Sequence, residues 1–212
     1  MNKGTVSIAF LLVGLLGGLV LVADLWVKNA PEPPAAGAPI SSTSTTSLLP
    51  TLNGVIAAGE YAHSLHDKAT GMDLSWSIVG KKIYFGLHSP GKGWLALGLA
   101  PEGPAMKGAE IMMGFVKKGQ AYMQDEFGNT PYTHEPVTKA GETADLIKFA
   151  GAEDAQGTTL EFARLLNPGG KDQKSIVPGV MTIMLAYADK DDWTTYHRQR
   201  SEVKLDLFAP GK

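Results

Sequence analysis

Apolar and polar positions alternate along most of this chain with a period of two, the pattern of strands that bury one face. Met72–Val79 reads Met-Asp-Leu-Ser-Trp-Ser-Ile-Val and stops at Gly80-Lys81-Lys82, a short hairpin signal. Ile83–His88 follows, ended by Ser89-Pro90-Gly91-Lys92-Gly93, and Trp94–Ala100 is a continuous apolar run of the buried type, ended by Pro101-Glu102-Gly103-Pro104. Ile111–Val116 and Ala121–Phe127 flank the turn Lys117-Lys118-Gly119-Gln120. Further strands are predicted around Leu146–Phe149, Thr158–Ala163, Gly179–Ala188 and Ser201–Phe208. Many short strands punctuated by Gly and Pro predict an all-β, antiparallel β-sandwich of immunoglobulin-like two-sheet architecture over residues 54–212.

The first 53 residues differ. Gly4 to Ala23 is an uncharged run rich in Leu, Val and Ile. It is long enough to cross a bilayer as a helix. Lys3 precedes it, so residues 1–28 are predicted to be a signal anchor, a transmembrane helix that leaves the short N-terminus inside the cell. A cleaved signal peptide is the competing reading, but the run exceeds a usual signal core and no A-x-A-like site follows directly. Residues 29–53 carry Pro31, Pro33, Pro34, Pro39, Pro50 and a Ser/Thr run from Ser41 to Ser47, the composition of an extended, solvated linker. The expected location is the cell membrane, single-pass, with the globular domain on the extracytoplasmic side.

Composition narrows the chemistry. The chain has no cysteine, which excludes disulfides, thiolate zinc sites, iron–sulfur clusters, blue copper and covalently attached c-type haem. A net charge of −2 and the lack of a basic stripe argue against nucleic acid as a partner. No helix opens on a Gly-rich phosphate loop, and no serine sits in a G-x-S-x-G frame. Asp125 and Glu126 are adjacent, so on a strand they face opposite ways and cannot flank one glycosidic bond. His63 and His66, three apart, likewise fall on opposite faces of a strand, and they, His88 and His134 are expected at the surface.

Two residues stand apart. Met106 lies in the turn Pro104-Ala-Met-Lys-Gly-Ala109, although methionine ordinarily fills gaps in a core. His197 lies in Thr194-Thr-Tyr-His-Arg-Gln-Arg200, directly before the last strand. A thioether and an imidazole are a standard axial pair for haem iron, but both residues also have ordinary packing or surface readings, and their separation in sequence decides nothing.

The segment Gly93–Val116 (G-W-L-A-L-G-L-A-P-E-G-P-A-M-K-G-A-E-I-M-M-G-F-V) followed by Ala121-Tyr-Met-Gln-Asp125 resembles the DOMON family, as does Tyr196-His197-Arg198-Gln199-Arg200 near the C-terminus. The family pattern has G-W-x-x-x-G, a Met two residues before Gly-Ala-acid, an apolar strand and Tyr-x-x-Asp. Glu110 stands where Asp is more usual and is expected to be structural. The resemblance implies a domain like the cytochrome domain of cellobiose dehydrogenase, with one non-covalent haem b per chain, ligated by Met106 and His197. It further implies single-electron transfer instead of catalysis by the domain itself, and a redox partner such as a dehydrogenase or a membrane cytochrome. Trp94, Met112, Met113, Phe115, Tyr122 and Met123 are candidate apolar walls, and Arg198 and Arg200 are candidates for the haem propionates. Lys204 is a reserve ligand, by likeness to a related group tied to ethylbenzene dehydrogenase. The alternative within the family is a haem-free module that binds a sugar, a catechol or another small ligand.

Overall fold

The computed structural model describes residues 49–210, so the expected transmembrane helix and nearly all of the linker lie outside the described residues. Among those described, no helix is long and apolar enough to cross a membrane.

Among the described residues, eleven strands build two antiparallel sheets. The five-stranded sheet has the order β1-β2-β3-β9-β8, from β1 (His63–Asp67), β2 (Met72–Val79), β3 (Lys82–Ser89), β9 (Thr158–Leu165) and β8 (Lys148–Glu153). The six-stranded sheet has the order β11-β10-β4-β5-β6-β7. Its strands are β4 (Leu95–Leu99), β5 (Glu110–Lys117), β6 (Gln120–Phe127), β7 (Glu135–Pro136), β10 (Met181–Tyr187) and β11 (Gln199–Leu205). Lys118 and Gly119, which join β5 to β6, both have positive φ (53° and 76°). Their backbone twist matches that of the flanking strands, so an ordinary Lys is held left-handed by the hairpin.

Alternation sorts every strand into an inner and an outer set. Met72, Leu74 and Trp76 of β2, Phe85 and Leu87 of β3, Leu95, Leu97 and Leu99 of β4, Met112 of β5 and Phe162 of β9 meet between the sheets. Each fully buried side chain of this kind contributes about 1.5–3 kcal/mol. Trp76 also donates its indole N–H to the Leu207 carbonyl (2.9 Å), which ties the segment after β11 to the opposite sheet. With no disulfide available, this core carries the fold.

The packed part begins before Gly54. Pro50 and Leu52 are buried, and the Asn53 and Gly54 amides donate to Glu161 Oε2 (2.9 and 2.7 Å). A segment running to Tyr61 therefore straps the outer face of the five-stranded sheet, where Ile56 and Tyr61 lie over Gly86. Two strands escape the sequence pattern: β1, whose His63-Ser-Leu-His-Asp67 is too polar to stand out, and the two-residue β7.

Candidate functional site

A second apolar cluster covers the outer face of the six-stranded sheet. Trp94, Ala96, Ile111, Met113, Phe115 and Ala188 are buried there, and Met106, Met184, Ala186 and Trp193 pack against them half-exposed. In β4 and β5 the residues between these positions face the inter-sheet core, so both faces of the two strands are apolar. The register sets Ala186 beside Ala96 and Ala96 beside Met113, with Gly98 opposite Met184 in the next row. These small residues make a shallow floor, over which Met184 lies: its Cε comes within 2.7 Å of where a Cβ on Gly98 would be.

Met106 reaches this face from a tight turn. The Lys107 amide donates to the Pro104 carbonyl (3.2 Å) and the Ala109 amide to the Met106 carbonyl (3.0 Å). Ala105 and Gly108 supply the positive φ values (51° and 77°) that reverse the chain. The turn rests on Gly128, whose amide donates to the Ala109 carbonyl (2.9 Å) and whose carbonyl accepts from the Gly108 amide (2.7 Å). A Cβ at Gly128 would overlap the Met106 carbonyl oxygen, backbone against backbone. Gly128→Ala is therefore expected to displace the turn and cost about 2 kcal/mol or more, measured by urea denaturation.

The segment that carries His197 meets the same face through Trp193 and Thr195. Asp192 organises its segment, accepting from the Thr194 and Thr195 amides (2.8 and 2.6 Å) and from the Thr195 hydroxyl (2.7 Å). Those donors hold the Asp192 carboxyl down at about 2. Trp94 donates its indole N–H to the Thr195 carbonyl (2.9 Å), and Trp193 packs on Phe115 with ring centroids 4.6 Å apart. The Arg198 amide then bonds the Tyr187 carbonyl (2.7 Å) and β11 begins. His197 is half-buried beside the exposed Tyr196, their rings 4.1 Å apart. Burial, and secondly the charge of Arg200, push the His197 imidazole below its ordinary value. At neutral pH it is the unprotonated base that a metal requires.

The alternation divides the wall residues expected from sequence. Trp94, Met113, Phe115 and Tyr122 belong to the outer face, Tyr122 stacked on Phe115 at 5.3 Å. Met112 and Met123 point the other way, into the inter-sheet core, because they sit one residue out of phase. Arg198 is exposed and paired with Asp189 (3.1 Å). Arg200 is exposed on β11 beside Ala186 of the floor. Lys204 is exposed further along β11, opposite Thr182 and seven residues beyond His197 in sequence. Met184, Ala186 and Trp193 were not anticipated. The alternation of β10 could have flagged Met184 and Ala186, whereas Trp193 lies in irregular chain with no periodic signal.

His66 is exposed as expected, whereas His63, His88 and His134 are half-buried. His63 stacks on Trp76 (5.0 Å), and His66, on the opposite face, bonds Asp73 (2.7 Å). His88 is half-buried and bonds the Thr159 hydroxyl (3.1 Å), while His134 pairs with the buried Glu126. His66, Asp73 and His88 share one cross-strand row with Ser64, Ser75 and Thr159 nearby, lining a cleft of about 550 Å³ on the outer face of the five-stranded sheet. Among the described residues, no group of three or more His, Asp or Glu side chains is placed to hold a metal ion.

The DOMON domain family model matches residues 68–188, more than half of the chain. The chain belongs to the DOMON family. This DOMON domain is similar to DBH-like monooxygenase protein 1 of Homo sapiens, 31% identical over 169 residues that make up 76% of this chain and 27% of that protein. MOXD1 homolog 2 of Drosophila melanogaster is 32% identical over 94 residues, 44% of this chain and 12% of the relative. The chain thus spans about a quarter or less of these relatives. In fold it is similar to the cytochrome b domain of pyranose dehydrogenase from Coprinopsis cinerea, with a TM-score of 0.52 and 10% identity over 70% of this chain and 83% of that one. The cytochrome domain of Myriococcum thermophilum cellobiose dehydrogenase gives 0.50 and 12%, over 66% and 78%.

The donor chemistry at the outer face of this DOMON domain fits a haem. Met106 packs on the apolar field, the segment that carries His197 is bonded to Trp94 through the Thr195 carbonyl, and Arg200 stands beside Ala186. Met184 and Trp193, both half-exposed, are the side chains that a planar group would have to share that field with.

Proposed function

We propose that this DOMON domain holds one non-covalent b-type haem between Met106 and His197 and relays single electrons. The observation that carries this reading is the convergence of the two segments, 91 residues apart, on the Trp94-centred outer face: one packs Met106 against it, the other is bonded to Trp94 itself. The fold likeness to two cytochrome domains supports the same reading. Bound haem supplies reversible one-electron chemistry at its iron.

The chain's residues have distinct parts in this scheme. Met106 offers a soft donor, which favours the reduced state relative to a second imidazole. His197 offers a base kept neutral by burial and by Arg200. Trp94, Met113, Phe115 and Tyr122 exclude water and hold a macrocycle by contact alone, since no cysteine is present to anchor it. Arg200, opposite Ala186 of the floor, would be the arginine for a propionate, since Arg198 pairs with Asp189. With Met106 and His197 as its two protein ligands, a bound haem would have no coordination site left for a substrate, so electron relay is favoured over bond chemistry. The apolar run Gly4–Ala23 tethers the domain on the extracytoplasmic side, where a dehydrogenase or a membrane cytochrome is the class of partner.

Titration of the full-length protein in detergent with haem is expected to saturate at one per chain, with a sharp, low-spin reduced spectrum. A chain that takes up no haem overturns the proposal. A second reading then gains, the haem-free module for a sugar, catechol or other small ligand. It is favoured by the cleft over His66, Asp73 and His88, whose volume is that of a small-molecule site. Equilibrium dialysis against a panel of sugars and catechols is then expected to find a ligand whose binding falls at least tenfold in Asp73→Ala; a panel without any such ligand removes this reading too.

A further inference from the structure

Four ionisable side chains meet between the sheets, below the turn that carries Met106. Glu110 opens β5, Asp125 lies on β6, Arg164 on β9 and Asp145 just before β8; all are buried, and Arg164 and Glu110 are fully so. Arg164 donates to Asp145 Oδ2 (2.8 Å), to Glu110 Oε2 (3.0 Å) and to the Lys174 carbonyl (2.7 Å). Asp125 Oδ2 accepts from the Asp145 amide (2.8 Å) and from the Gln173 side chain (3.0 Å), and the Lys174 amide donates to Glu110 Oε2. Other charged groups of these elements turn away. Glu126 pairs with His134 on the outer face, Glu161 with Tyr61, Glu142 with the Asp172 amide, and the Lys174 ammonium with Glu102.

Two atoms are left over. Glu110 Oε1 and Asp125 Oδ1 are both buried without a hydrogen-bond partner. The register sets Asp125 opposite Met112 and Glu110 opposite Phe127, so the two side chains are diagonal neighbours on the inward face of adjacent strands, and the charge of Asp125 acts on Glu110. Three carboxylates also surround a single guanidinium. One added proton resolves both problems, since it removes a buried charge and turns two orphan acceptors into a donor and an acceptor.

We propose that Glu110 and Asp125 share one proton at neutral pH, and that this proton locks the end of the sandwich against which the Met106 turn closes. The link to the turn runs through Lys174, whose amide holds Glu110 and whose ammonium holds Glu102 at the start of the turn. Burial pushes Glu110 up to about 7 and Asp125 upward as well. The folded state then keeps a proton that the unfolded chain releases near 4.5. Its stabilisation is complete below that pH and is lost as the pH rises through about 7. The inference rests on this cluster alone and is independent of what Met106 binds.

The test is denaturant unfolding of the full-length protein against its Asp125→Asn variant across this pH range. The Asn oxygen can keep the Asp145 and Gln173 bonds while its NH2 replaces the shared proton at Glu110. The wild-type folding constant is expected to fall relative to the variant by up to about tenfold per pH unit, levelling off above the Glu110 value. Infrared difference spectra of the wild type are expected to show the carbonyl band of a protonated carboxylic acid at neutral pH, absent in Asp125→Asn. If that variant does not fold, Glu110→Gln makes the same comparison, and the wild-type band alone decides if neither does. Parallel pH profiles, a missing band, or a melting temperature that drops with a chelator and recovers with calcium would each overturn the shared proton.

Discussion

Replacing His197 by Ala is expected to abolish tight haem uptake, and replacing Met106 by Ala to leave a haem that has lost its low-spin spectrum. The two outcomes differ for physical reasons. His197 is the stronger donor, since an imidazole kept neutral by burial and by Arg200 needs no proton removed before it binds. Met106 would be a weak, soft ligand, and its loss would leave the apolar contacts on Trp94, Met113 and Phe115 in place. Loss of a direct ligand should exceed the roughly 10–100-fold that losing an outer partner costs a metal site, so the His197→Ala titration is expected to shift by more than about 100-fold. Far-ultraviolet circular dichroism of both variants should match the wild type, because neither side chain belongs to the inter-sheet core. Low-spin spectra retained by both variants would dismiss the ligand assignment while leaving the fold untouched.

The period-two pattern made the strands readable, and where it was clean the boundaries came out close: Met72–Val79 is β2 residue for residue. Pattern failed where burial does not dictate residue type. His63–Asp67 forms an edge strand through pairing with β2 and a ring stacked on Trp76, neither of which apolar alternation reveals. Met106 and His197 could be singled out as a chemically matched pair, but only the fold shows that Met106 packs on the face where Trp94 bonds the segment carrying His197. The residues that build that face from β10 and the irregular segment after it, Met184, Ala186 and Trp193, depend on which side of which strand is covered, a property of the packed sheets. The pairing of Asp125 inward with Glu126 outward was legible from adjacency alone. What each meets was not, because Arg164 and His134 come from distant parts of the chain.

Arg164 is the side chain whose loss is expected to cost this fold most. It is fully buried and carries the single positive charge among Glu110, Asp125 and Asp145, with one bond to each of Glu110, Asp145 and the Lys174 carbonyl. Arg164→Met keeps the length and apolar stem but strands the carboxylates in the interior. Breaking a buried ion pair from one side in this way costs about 3–5 kcal/mol. The loss should shrink as the pH falls. Without the guanidinium, the attraction that lowers Glu110 is gone and its folded value rises further, so stability returns as protons bind below neutrality. Arg164→Lys restores the charge but only one of the three directed bonds, and is expected to recover part of the loss. The triple variant Arg164→Met, Glu110→Leu and Asp145→Leu removes both bonded partners with the cation. It should stand closer to the wild type than Arg164→Met alone, since the cost lies chiefly in the charges left unpaired. Urea unfolding midpoints for the three variants across the acid-to-neutral range measure all of this. A triple variant no more stable than Arg164→Met would mean that the arginine acts by shape alone.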